Sequence, residues 1–212
     1  MNKTEQAVAM LQGMIERGEL APGAMVSERT IVELIGLGRT PIREAIQRLA
    51  PSYMIRVHAS RGIEIPAITV EDQLSRLEVR RAVEVLAVDL ASKRASKTQR
   101  EAMQSLASRL EGQFTLQEYT DTIRETHALI LDAAGNRYLG SLMLPLQGLS
   151  RRFWIVHARE ENNDILRGRD LHRAILTAIS ERDAEAATAA SRALNDYLVE
   201  FALAVVARQA AR

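Results

Sequence analysis

One stretch of this chain departs from helical patterning, and it narrows the possible folds sharply. Met54–His58 and Gly62–Ile65 each alternate apolar and polar residues, with Ala59-Ser60-Arg61 between them, which is the pattern of a β-hairpin. Pro66 closes it. Three short helices precede the hairpin. The first spans about Lys3–Arg17, with Val8, Leu11 and Ile15 on one face, and stops at Gly18 before the turn Ala21-Pro22-Gly23. Ser27 is a suitable N-cap for a second helix, Glu28–Ile35. Gly36-Leu37-Gly38 then makes a tight turn into a third, with Thr40 as its cap and Pro41 as its first residue. Ile42, Ala45, Ile46 and Leu49 recur at helical spacing and face inward, while Arg43 and Gln47 point the other way, with Arg39 just ahead. Helix, helix, tight turn, helix and hairpin together make a winged helix-turn-helix.

Beyond Thr69 the pattern is helical to the end, with helices at about 71–93, 97–113, 116–134, 137–161, 164–182 and 184–208. Gly135-Asn136 ends one of them, and Asp183 caps the last. Short connections between long helices favour an antiparallel bundle. The fold class is therefore mainly α: an N-terminal winged helix-turn-helix over 1–66 and a C-terminal all-helical antiparallel bundle over 70–212.

The formal net charge of +1 hides a local imbalance. Between Gly38 and Gly62 lie Arg39, Arg43, Arg48, Arg56 and Arg61 against the single acid Glu44, a local +4, whereas 20 basic and 20 acidic residues balance from Ala67 onward. Arginines on the exposed side of a third helix are what phosphate binding and guanine readout need. The chain has no cysteine, which excludes disulfides, thiolate zinc sites and a cysteine nucleophile. Its apolar runs are too short to cross a bilayer and no export signal is visible, so a cytoplasmic protein without membrane contact is expected.

In the helical half, two histidines lie on apolar stripes: His127 among Ile123, Ile130 and Ala134, and His172 among Ile165, Ile175 and Ile179. Each reads either as a core histidine or as a ligand-binding group. Arg80 reads either as an effector contact or as a helical salt bridge to Glu84, four residues on. Trp154 and Tyr138 are candidates for the walls of a pocket. No nucleophile elbow, phosphate loop or paired carboxylate accompanies the histidines, so an enzyme is not expected.

Pro22-Gly23, Ser27-Glu28-Arg29, Gly36 through Ile46, Arg48-Leu49 and Arg61-Gly62 resemble the DNA-binding domain of the GntR transcriptional regulators. Glu78-Val79-Arg80, Glu84, His127, Ala134-Gly135-Asn136, His172, Ala178-Ile179 and Asp183 resemble the ligand-binding domain of its FadR-like branch, the FCD type. The resemblance implies a homodimeric, ligand-responsive regulator, most often a repressor, on a near-palindromic double-stranded operator. It places DNA contacts at Arg29, Arg39, Thr40, Arg43, Arg61 and Gly62, to which the exposed face of the third helix adds Gln47. Gly62 would let the wing backbone approach the duplex.

Two features depart from the family pattern in the winged domain. Gly38 stands where a serine is usual, and Ser52-Tyr53 stands where an acidic residue and glycine are usual. Tyrosine suits a left-handed cap poorly, so a reshaped entry into the wing is expected. In the helical domain the family's metal site needs an aspartate and a final histidine at positions that here hold Ile123 and Leu194, next to Asn195. The site at His127 and His172 is therefore vestigial. No cofactor and no tightly bound metal is expected, a weak divalent metal being the remaining alternative. The implied effector is a small organic acid or acyl-type molecule touching Arg80, His127, His172 and Trp154. The alternative function is a constitutive or architectural DNA-binding dimer whose helical domain has lost metal and effector binding.

Overall fold

The computed structural model describes residues 2–158 and 161–210. They divide into two compact units, one running to Thr69 and including Gly148–Val156, the other comprising Val70–Gln147 and the described residues from His157 onward.

The first unit is a winged helix-turn-helix. It contains α1 (Lys3–Glu16), β1 (Met25–Val26), α2 (Glu28–Ile35), α3 (Arg39–Leu49), a 3₁₀ turn (Ala50–Ser52), β2 (Arg56–His58) and β3 (Gly62–Glu64). Asn2 caps α1 in a reciprocal capping box with Glu5. Ser27 caps α2 by accepting from Thr30 N at 3.0 Å, and Gly36, at φ 73°, ends it in the left-handed conformation that glycine adopts without penalty. The third helix begins earlier than its sequence suggests. Gly38 occupies the N-cap without a side-chain bond, so Arg39 and Thr40 already lie inside α3 and Thr40 caps nothing. The hairpin gains a third strand, β1, giving the antiparallel order β1-β3-β2. Leu11, Ile15, Ile31, Ile42, Ile63 and Ile65 form the core, and Leu149 joins them.

The second unit consists of α4 (Val70–Arg94), α5 (Lys97–Arg109), α6 (Leu116–Ala134), the start of α7 (Arg137–His157), α8 (Glu161–Ser180) and α9 (Ala184–Ala210). Here α4 packs on α9, α6 and α8, and α8 packs on α9 and α5. Ser96 and Thr115 form capping boxes that start α5 and α6, and Asp183 accepts from Ala186 N at 2.8 Å to start α9. The helices thus begin where their capping residues stand. The sequence reading of the fourth bundle helix as 137–161 runs through residues 159 and 160, which lie outside the described residues. Among the described residues no helix is long and apolar enough to cross a membrane.

Candidate nucleic-acid interface and effector cavity

Helix α3 sorts its residues by face. Ile42, Ala45, Ile46 and Leu49 are buried, and the opposite side exposes Arg39, Thr40, Arg43 and Gln47. Arg61 is exposed in the β2–β3 connection, and Arg29 is exposed on α2, paired with Glu33 at 2.8 Å. Arg39, Arg48 and Arg61 make no ion pair among the described residues, so their charges face solvent. Two other arginines are partly compensated. Arg43 Nε donates to both carboxylate oxygens of Glu28, at 3.0 and 2.8 Å, and that bond holds its guanidinium pKa above the ordinary value. On the wing, His58 Nε2 lies 2.6 Å from Glu64 Oε2 and Arg56 Nη1 lies 3.2 Å from it. The His58 hydrogen bond, with help from Arg56, keeps the Glu64 carboxyl below its usual range. Sequence reasoning did not foresee either acidic partner. Glu28 lies fifteen residues before Arg43, too far apart for a helical pair, so only the fold brings them together.

Gly62 has a structural reason to be glycine. Its φ is 99°, and a Cβ there would stand 2.8 Å from the carbonyl oxygen of Val26. Its close approach is to strand β1. Tyr53 takes the left-handed cap that glycine usually fills, with φ 59° and ψ 10°. Tyrosine is thus accommodated in the left-handed cap at the entry to the wing: Tyr53 N donates to Ala50 O at 3.2 Å, and the residue is 76% exposed.

In the second unit, His127 and His172 line one small cavity of about 20 Å³ with Glu84, Gln147 and apolar side chains including Ile130 and Leu194. The imidazole centroids are 5.4 Å apart. His172 Nδ1 lies 2.7 Å from Gly168 O, which in the neutral ring leaves Nε2 as an acceptor. Arg80 is not part of this wall. Its Nε and Nη2 donate to Glu84 Oε1 at 3.1 and 2.7 Å in a buried pair, which Gln147 Nε2 joins at 3.2 Å. The salt-bridge reading of Arg80 is the one observed. Trp154 is buried within the first unit and Tyr138 is exposed, so neither walls the cavity.

The residues at this cavity do not fit the family's metal. Ile123 and Leu194 are buried apolar side chains at the two missing positions. Asn195 donates to Leu77 O at 3.1 Å and accepts from Arg81, so its amide is committed elsewhere. Among the described residues no three His, Cys, Asp or Glu side chains converge as a metal site requires.

The FCD domain model matches residues 75–196, and that of the bacterial regulatory proteins, gntR family, matches residues 3–65. An uncharacterized HTH-type transcriptional regulator of Bacillus subtilis (strain 168), YdhC, is 27% identical over 183 residues, covering 84% of this chain and 80% of that protein. The structure of E. coli McbR/YncC superposes with a TM-score of 0.73 at 18% identity over 99% of both chains. A GntR structure from Rhodococcus sp. RHA1 gives 0.68 at 20% identity over 98% of this chain and 99% of that one. At these identities the structural likeness establishes the fold.

Proposed function

The chain belongs to the GntR family of bacterial transcriptional regulators, in its FCD-containing branch, and from that premise we propose that it is a cytoplasmic, homodimeric, ligand-responsive repressor of a near-palindromic operator. The observation that carries the DNA half is the single exposed face bearing Arg39, Thr40, Arg43 and Gln47, opposite the buried face of α3. Arg43 and Arg39 suit guanine edges or flanking phosphates. Thr40, in the first turn of α3, suits a phosphate drawn to the positive end of the helix. Arg61 and Gly62 belong to the wing, beside the adjacent groove. The domains proposed are 1–66 for DNA and 70–212 for effector and dimer contacts. Neither the matched families nor the relatives indicate an enzyme.

The effector reading rests on the cavity at His127 and His172, with a small organic acid or acyl-type molecule as the ligand class. A specific observation favours the second reading, a constitutive DNA-binding dimer. The cavity holds only about 20 Å³, and Arg80, the arginine bonded to its Glu84 wall, is already paired. An effector has to open that cavity before it can bind.

The decisive experiment uses a duplex from upstream of the protein's own gene. The wild type should retard it in a gel, and Arg43→Ala should weaken the complex at least tenfold. A folded protein that leaves this duplex unshifted at modest salt removes that duplex as its operator. Organic acids and acyl thioesters are then added. A change in DNA affinity or melting temperature supports the ligand-responsive reading, and no change across the panel supports the constitutive one.

A further inference from the structure

The Glu28–Arg43 pair has a direction. Arg43 engages Glu28 through Nε alone, and Glu28 receives it with both carboxylate oxygens. The two terminal nitrogens of Arg43 make no hydrogen bond among the described residues, and the side chain is 70% exposed. One nitrogen of the planar fork is thus held by the neighbouring helix, and the two terminal nitrogens are left to a partner. Guanine presents two acceptors, N7 and O6, side by side in the major groove, and a guanidinium meets them best with two coplanar donors.

An exposed arginine otherwise carries rotamer entropy that binding has to remove. Glu28 is well placed to reduce that loss. It is the first residue of α2, directly after the Ser27 cap, so its backbone is fixed by the helix start, and it crosses to α3 rather than trailing in solvent. Arg39, Arg48 and Arg61 have no such carboxylate clamp among the described residues, so of these four Arg43 alone is held ready for a fixed geometry.

We propose that Glu28 is a specificity-determining residue of the DNA interface, clamping Arg43 so that its two terminal nitrogens meet the N7/O6 edge of one guanine in each half-site. The proposal rests on the reading that α3 enters the major groove. Glu28 touches no base itself and acts through Arg43. A plain acidic group beside the interface would do the opposite, repelling every duplex alike.

The test selects duplexes from a randomised pool with the full-length wild type, then measures affinity for the selected duplex and a scrambled one. Glu28→Gln should weaken binding to the selected duplex roughly tenfold and leave the scrambled duplex unchanged or tighter. The preference for one guanine should shrink, and it should be the same guanine that Arg43→Ala ceases to recognise. Replacing that guanine with 7-deazaguanine, which lacks the N7 acceptor, should cost the wild type affinity and cost Glu28→Gln little.

Arg43→Lys provides the control for a folding defect, because it keeps a cation without the fork. It should lose preference for the same guanine, and adding Glu28→Gln to it should change nothing further. If Glu28→Gln keeps the guanine preference, or alters both duplexes by the same factor, the proposal is overturned. If the wild type enriches no duplex at all, the DNA-binding reading fails first and takes this one with it.

Discussion

At the scale of single residues, two side chains sit where ordinary physical chemistry would not place them. Arg152 on α7 is fully buried, and none of its three guanidinium nitrogens has a hydrogen-bond partner among the described residues. Burial pulls its pKa down to about 10, still far above neutrality, so it carries its charge inside the protein. Replacing even a buried ion pair with well-packed apolar side chains is often neutral or stabilises by about 1–4 kcal/mol, and a buried charge without a partner has still less to offset its desolvation. Arg152→Met should therefore raise the stability of the first unit by that order, read from Trp154 fluorescence during denaturant unfolding. Trp154, the chain's single tryptophan, belongs to that unit. A loss of stability would instead mean that the guanidinium has a partner in solution. Tyr53 is the second case. A left-handed residue with a Cβ costs roughly 1–2 kcal/mol, and glycine returns part of the saving as lost chain entropy. Because Tyr53 is 76% exposed, little packing is forfeited, and Tyr53→Gly should stabilise by up to about 1 kcal/mol, measured by the same unfolding curve.

Among the elements, those with a period and a cap were readable in the sequence. The apolar stripe of α3 repeats often enough to fix an element and its buried face, and alternation finds both strands of the hairpin; it places Ile63 of β3 inward, whereas Val57, the apolar residue of β2, is exposed. Strand β1 was not readable, because Met25–Val26 is two residues long and only its pairing with Ile63 and Glu64 defines it. The start of α3 was misjudged for a related reason. Thr40-Pro41 matches a cap and first-turn signature, but Gly36 ends α2 early enough for the helix to begin at Arg39. The wing carries a pH dependence that follows from its acid. Glu64 has a lowered folded pKa, so the bonds from His58 and Arg56 support the wing above the ordinary carboxyl value of 4.5 and are lost as pH falls through the lowered one. The amide signals of Gly62 and Ile63 should therefore shift in acid below pH 4.5, and Glu64→Gln should abolish that transition. Flat signals down to pH 3 in the wild type would rule out the ion cluster as a support of the wing.

For the whole molecule, sequence order and structural membership part company at α7. The helix was visible in the sequence as a helix, but its periodicity cannot say which core each turn joins. Gly148–Val156 packs with the first unit, where Leu149 enters the core and Arg151 pairs with Glu16. Glu16 is completely buried. It accepts from Arg151 Nη2 at 3.1 and 3.2 Å and from Gln12 Nε2 at 2.7 Å. The DNA-binding unit is thus incomplete when read as a contiguous N-terminal segment, since the one buried carboxylate among its described residues depends on a residue 135 positions away. Removing one member of such a pair leaves a buried charge with poor compensation, at a cost of about 3–5 kcal/mol, whereas removing both costs much less. Arg151→Met should accordingly destabilise the first unit by that amount, followed through Trp154 fluorescence. Glu16→Leu combined with Arg151→Met should recover most of the loss. A fragment ending at Thr69 should show the same deficit and also lack Leu149, so it should unfold at lower denaturant than the same unit in the full chain, with the exchange of core amides such as Ile42 and Ile63 as the probe in both. If the fragment matches the full chain, Gly148–Val156 adds no stability to the first unit.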